Sequence, residues 1–201
     1  MKRAIHKRIV HAVVAMAVIV FASVAMHAGY YAPELEVAPS PALANIAETN
    51  AKATGQSARL SIPKLSINAH VQSVGITTKG NVGTPNNFTD VGWYKYGSLP
   101  GKPGTAIIDG HVDNGLSLPG VFKDLNKLEV GDDVYIVTKE GTTLHFVVTG
   151  MKTYAYNAST DDIFTNHDDG ASRLLLITCA GTWVQANHTH DQRLVVTTEL
   201  V

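Results

Sequence analysis

Two hydrophobic patterns divide the chain. From Ile9 to Ala28 almost every position is apolar or small, with only His11, Ser23 and His27 interrupting. A helix through this run would be about 30 Å long at ~1.5 Å rise per residue, close to the thickness of a bilayer's hydrocarbon core. From Arg59 onward, short β-branched runs alternate with clusters of Gly, Pro, Asn and Asp, which predicts an all-β sandwich or barrel. Candidate strands are Arg59–Ile62, Ala69–Gly75, Gly104–Asp109, Asp133–Thr138, Thr143–Lys152, Arg173–Thr178 and Arg193–Leu200. About seven to eight strands are implied. A helical turn is predicted at Pro119 to Leu125, where Val121, Phe122 and Leu125 would share a face, and another near Asp161 to Phe164.

The segment between the two patterns, residues 29 to about 57, mixes Pro, Ala, Glu, Asn, Thr and Ser without a sustained apolar period, and reads as an extended spacer. Lys2, Arg3, Lys7 and Arg8 precede the apolar run. Positive charge on that side predicts a cytoplasmic N-terminus and an exported remainder. The organisation expected is therefore a basic tip and transmembrane signal-anchor (1–28), a linker (29–58) and one folded domain (59–201). Ser23-Val24-Ala25 and Met26-His27-Ala28 also fit a cleaved secretory signal. Both readings export the domain and differ only in whether it stays tethered.

A chain of 201 residues has room for one well-packed core plus an extra segment. With 16 basic and 17 acidic residues, and no long basic patch, nothing attracts nucleic acid. The single cysteine, Cys179, excludes an intramolecular disulfide and a multi-cysteine zinc site. It is either an inert buried thiol or a reactive one.

Its neighbours bear on the choice. Arg173-Leu174-Leu175-Leu176-Ile177-Thr178 reads as a central strand, and Cys179 follows where that strand is expected to end. Thr105-Ala106-Ile107-Ile108-Asp109-Gly110-His111 repeats the arrangement, an apolar strand leading through a glycine to a histidine. Arg193 is expected to begin the last strand. Thiol, imidazole and guanidinium thus fall at strand ends, where neighbouring strands can gather them. A thiolate is a nucleophile, an imidazolium can protonate a leaving amine, and a guanidinium can stabilise charge developing on a carbonyl oxygen. Taken singly, each residue also has a plain structural reading: buried filler, core histidine or surface ion pair.

The strings themselves go further. Ile108-Asp109-Gly110-His111, Leu176-Ile177-Thr178-Cys179-Ala180-Gly181 and Gln192-Arg193-Leu194-Val195-Val196 resemble the His, Thr-Cys and Arg motifs of sortases, in that family's order. Ile62-Pro63-Lys64-Leu65-Ser66-Ile67 resembles the entry to the sortase barrel. Val121-Phe122-Lys123-Asp124-Leu125 and Val130-Gly131-Asp132-Asp133-Val134 resemble its segment after the histidine. The resemblance covers about residues 59–201. It implies a closed β-barrel of about eight strands with short helices, and a Cys179–His111–Arg193 site with Thr178 aiding substrate positioning. It further implies a cysteine transpeptidase, which cleaves a Leu-Pro-x-Thr-Gly-like sorting signal through a thioacyl enzyme and passes the acyl group to an amine such as a peptidoglycan precursor. Without an acceptor, it would hydrolyse the peptide. Anchor, compact length and the lack of a C-terminal membrane segment look most like class F or related actinobacterial groups.

His188-Thr189-His190-Asp191 and His167-Asp168-Asp169 suggest divalent-metal ligands. The two histidines of the first string would project together only from extended chain, so no metal and no cofactor is expected. Trp183, Trp93 and Tyr94 could line a substrate groove, although aromatic residues near strand ends are more often core. The competing functional class is a membrane-tethered extracellular binding module with an inert Cys179.

Overall fold

A computed structural model describes residues 11, 13–20, 57–77, 81–114, 118–158 and 169–201. Residues 13–20, within the first apolar run, are helical and their large side chains are exposed. Among the described residues no helix is long and apolar enough to cross a membrane. Most of the expected anchor and linker, and the expected turn at Asp161 to Phe164, lie outside the described residues.

Eight strands form the domain: β1 (Ser57–Ile62), β2 (Ile67–Val74), β3 (Val91–Tyr94), β4 (Gly104–Asp109), β5 (Asp133–Thr138), β6 (Thr143–Ala155), β7 (Ser172–Val184) and β8 (Thr189–Leu200). They close into a barrel in the order β1-β2-β3-β4-β7-β8-β6-β5. Closure leaves no unpaired sheet edge. The expected all-β barrel is therefore the observed fold.

Alternation along the strands separates an inside from an outside. Leu60, Ile62, Ala106, Ile108, Leu174, Leu176, Leu194 and Val196 point into one core with Phe122, Leu125 and Phe146. Ile107, Leu175 and Val195 point the other way and gather Tyr94, Tyr154 and Ile177 around them on the outer face. The residues of β4 are buried on both sides because β4 runs parallel to β7 in the middle of this face. That explains why its sequence reads as an unbroken apolar run.

Val121 to Leu125 forms turns that lead into a short 3-10 segment, Leu125–Lys127. Phe122 and Leu125 are fully buried and Val121 packs against the same core, so the expected shared face is present.

Beyond shifts of one to three residues at the ends of β1, β2 and β6, three features differ from the sequence reading. The short strand β3, Val-Gly-Trp-Tyr, was not among the expected strands. The strand holding the cysteine does not stop at Thr178 but continues to Val184, with a bulge between Ala180 and Trp183. The last strand begins at Thr189, ahead of Arg193. Cys179 and Arg193 thus lie within a hairpin, because pairing across β7 and β8 holds extended a stretch too small and polar to declare itself a strand.

Candidate active site

On β7, Leu174, Leu176 and Thr178 face inward, which places Leu175, Ile177 and Cys179 on the outer face. By the same alternation on β8, Arg193 shares the outer face with Val195. The antiparallel register pairs Cys179 with Arg193, and Arg193 in turn with Tyr154 on β6. Directly opposed residues on one face of a sheet have Cβ atoms about 4.5–5.5 Å apart. The bases of the two side chains are therefore neighbours by construction.

His111 arrives from the other side. The parallel register sets Asp109 beside Ile177. Two residues further along each chain stand His111 and Cys179, one step past the last ladder rung. Two hydrogen bonds continue the rung: Gly110 N–H donates to the carbonyl of Ile177 at 3.1 Å, and the buried Thr178 hydroxyl donates to the carbonyl of Gly110 at 2.7 Å. Both backbone groups of the residue before His111 are tied to β7. Thr178 therefore acts from beneath, on the turn that carries the histidine.

The turn demands small residues. A Cβ on Gly110 would come within 2.6 Å of Phe122, and one on Gly120 within 2.3 Å of the carbonyl oxygen of His111. That same carbonyl accepts the N–H of Phe122 at 2.9 Å, while Gly120 N–H donates to Val112. The segment after the histidine thus folds back and grips it.

The imidazole is held by a loop the sequence reading did not single out. Its Nε2 lies 3.1 Å from the carbonyl of Pro85, and its ring packs 4.6 Å from that of Phe88. A carbonyl only accepts, so the proton of the neutral ring sits on Nε2 and Nδ1 carries the free lone pair. A polar network stiffens this loop: Gln72 donates to Asn86 at 2.8 Å and to Asp90 at 2.9 Å, and Asn87 donates to Asp90 at 2.9 Å. A run of Asn and Asp between strands was the only available signal, and turns use the same residues.

Arg193 is half-buried and turned toward the β7–β8 connection. Its Nη1 donates to the carbonyls of His190 at 3.0 Å and Gln192 at 2.8 Å, and its Nη2 donates to the hydroxyl of Thr189 at 2.8 Å.

Electrostatics set the resting protonation. Burial pushes the Cys179 thiol above its ordinary value; Arg193 pulls it down, while Asp113 and Asp109 add to the rise. Burial pushes His111 below its ordinary value, opposed by the Pro85 carbonyl and by Asp113. Both shifts favour the neutral thiol and neutral imidazole. Beside them Asp109, a half-buried residue whose Oδ1 is sealed without a hydrogen-bond partner, is pushed well above the carboxylate range by burial.

Of the possible metal ligands, His167 and Asp168 lie outside the described residues, and the others take separate places. His188 has a left-handed backbone, φ 49°, and is exposed, whereas His190 is buried. Asp191 accepts the N–H of Thr182 at 2.8 Å, and Asp169 binds Arg173. Among the described residues no three metal-ligating side chains lie together. Of the aromatic candidates, Trp93 is core and Tyr94 packs in the outer cluster, while Trp183 is 50% exposed at the end of β7.

A closed eight-stranded barrel carries Cys179 opposite Arg193 on its outer face, with His111 one step past the rung that pairs Asp109 with Ile177; this defines a class of barrel with a thiol, a guanidinium and an imidazole grouped on neighbouring strands. A sortase-domain family model matches residues 60–201. The chain belongs to the sortase family, the cysteine transpeptidases.

Solved structures agree. Sortase C-1 from Actinomyces oris is 26% identical, with 83% of this chain and 89% of that one covered and a TM-score of 0.55. A lid mutant of sortase A from Corynebacterium diphtheriae is 20% identical over 87% of each chain, with a TM-score of 0.57. The sortase D5 transpeptidase of Clostridium perfringens is 20% identical, covering 77% and 88%, with a TM-score of 0.55. No curated protein matches the chain.

Proposed function

We propose that this sortase cleaves a Leu-Pro-x-Thr-Gly-like sorting signal at Cys179 and transfers the acyl fragment to an amine, attaching an exported protein to the cell wall. The observation that carries the reading is the placement of three groups. Cys179 and Arg193 are paired across β7 and β8, and both backbone groups of the residue before His111 are bonded to β7.

The chemistry follows from those positions. The Cys179 thiolate attacks the carbonyl carbon before the scissile bond, and the new oxyanion is stabilised by the Arg193 guanidinium. As the C–N bond breaks, His111 gives the proton on Nδ1 to the leaving amine, and a thioester remains on Sγ. An incoming amine yields a proton to Nδ1, attacks the thioester and releases the thiolate. Water in place of the amine gives hydrolysis. Thr178 positions the substrate indirectly, through the turn that carries His111.

In this reading residues 1–28 hold the enzyme in the membrane with its N-terminus in the cytoplasm, 29–58 space the domain from the surface, and 59–201 carry the site outside the cell. The class F-like or related actinobacterial placement belongs to the same reading. A peptide-library assay with mass detection tests it. Wild type with a peptidoglycan-like amine should yield ligated product from one sorting pentapeptide, and Cys179→Ala should yield none. An inert Cys179, with no cleavage of any member, would favour the tethered binding module.

A further inference from the structure

The His190-Asp191 string finds a use at the rim of the site. His190 is buried, with its Nε2 3.4 Å from the Asp113 carboxylate, and its ring meets Trp183 edge-on at 5.4 Å. Asp113 lies two residues beyond His111 in the segment that grips the histidine, where it bridges to Pro119. His190 lies three residues before Arg193 and accepts from it through its own carbonyl. This contact therefore joins the segment carrying His111 to the turn anchoring Arg193, two parts of the chain that approach Cys179 from opposite sides.

We propose that Asp113 and His190 form a clamp across the mouth of the site, positioning residues that fix the spacing of His111 and Arg193 about Cys179. The clamp has a mechanical and an electrostatic part. Mechanically, breaking it removes the direct tie between the segment after His111 and the turn that the Arg193 guanidinium binds. Electrostatically, Asp113 faces His111, Cys179 and His190 together, and its negative charge disfavours the thiolate while favouring the imidazolium. The other titratable groups facing Cys179 among the described residues are Arg193, which stays charged, and Asp109, which burial holds toward its neutral form. His190 is faced by Asp113 and the indole of Trp183, and through its backbone by Arg193.

This inference rests on the proposed Cys179–His111–Arg193 chemistry, and two measurements keep the two claims apart. The first is kcat and KM on one sorting peptide for wild type, His190→Ala, His190→Gln and Asp113→Asn, with the thermal midpoint of each. Misplacing a reacting group by about 1 Å can cost about a hundredfold in rate. His190→Ala should therefore lose about ten- to a hundredfold in kcat with KM little changed, and His190→Gln, which keeps a donor toward Asp113, should recover most of it.

The second is the pH dependence of Cys179 alkylation, which needs no peptide. Asp113→Asn removes a charge that disfavours the thiolate, so its labelling midpoint should fall below that of wild type while its kcat also falls. A residue that merely stabilised the fold would not make the thiol easier to ionise and the enzyme slower at once. Wild-type kcat in Asp113→Asn, or an unmoved labelling midpoint, overturns the clamp even if His190→Ala fails to fold. A wild type that labels normally but cleaves no sorting peptide overturns the proposed reaction, and the labelling midpoint of Asp113→Asn then decides the electrostatic part of the clamp.

Discussion

Cys179 and Arg193 occupy directly opposed positions on β7 and β8, on the outer face of the barrel and not at strand ends. A sheet pair fixes that spacing more firmly than two loops could. The consequence is testable with Arg193→Lys, which keeps the charge beside the thiol but loses the planar fork. Turnover should fall about 10²–10³-fold, the usual loss for one oxyanion donor. The thermal midpoint should move by only about 2–4 °C for each kcal/mol lost from a domain of this size. Near-normal turnover in a folded variant would reduce Arg193 to an anchor for the β7–β8 turn.

The directions of the two pKa shifts predict the pH profile. Cys179 is raised and His111 lowered, so the thiolate–imidazolium pair is a minority state beside the neutral pair. Between the two titrations its fraction is constant. Below the histidine's value the thiolate is lost, and above the cysteine's the imidazolium is lost. kcat/KM should therefore trace a broad, flat-topped bell, its acid limb below about pH 6.5 and its alkaline limb above about pH 8.5. Thiolate persisting down to pH 4 in alkylation measurements would contradict this.

Much of the barrel was legible because its core strands alternate or run apolar without break: Asp133–Thr138 and Gly104–Asp109 were expected with the bounds they have. The site strings were legible as chemistry but not as placement. Cys179 to Val184 contains Ala180, Gly181 and Thr182, with Gly181 at φ +79° where a Cβ would strike Asp191, and nothing local marks it as strand. Only its partner, β8, holds it extended. The loop that orients His111 was invisible for the opposite reason: Pro85, Asn86 and Asn87 read as an ordinary turn, and Gln72, the hydrogen-bond partner of Asn86, lies on β2.

Thr178 offers a test of how the histidine is held. Thr178→Val leaves the Gly110 carbonyl without its donor at a buried position, which should cost about 1–3 kcal/mol. Turnover should fall as the His111 turn loosens, and Thr178→Ser should restore both. If Thr178→Val loses neither stability nor turnover, the bond to Gly110 does not position the histidine.

Asp109 predicts a linkage of stability to pH. Its folded-state value lies well above the unfolded value of about 3.9, so the native state keeps a proton the unfolded chain gives up. The wild type holds that stability below about pH 3.9 and loses it as pH rises toward the native value. Asp109→Asn, which cannot ionise, should show no such loss. Its thermal midpoint should overtake that of wild type by a margin growing from pH 4 to pH 8, and a constant difference would mean the carboxyl is not held neutral.

The most direct test of the account uses the fact that the chain has one cysteine. Mixing the enzyme with its sorting peptide in the absence of an amine, quenching in acid and measuring the intact mass should reveal an adduct of the acyl fragment that hydroxylamine removes. Cys179→Ala should be folded, form no adduct and cleave nothing. Cleavage at the wild-type rate by Cys179→Ala would contradict the account outright.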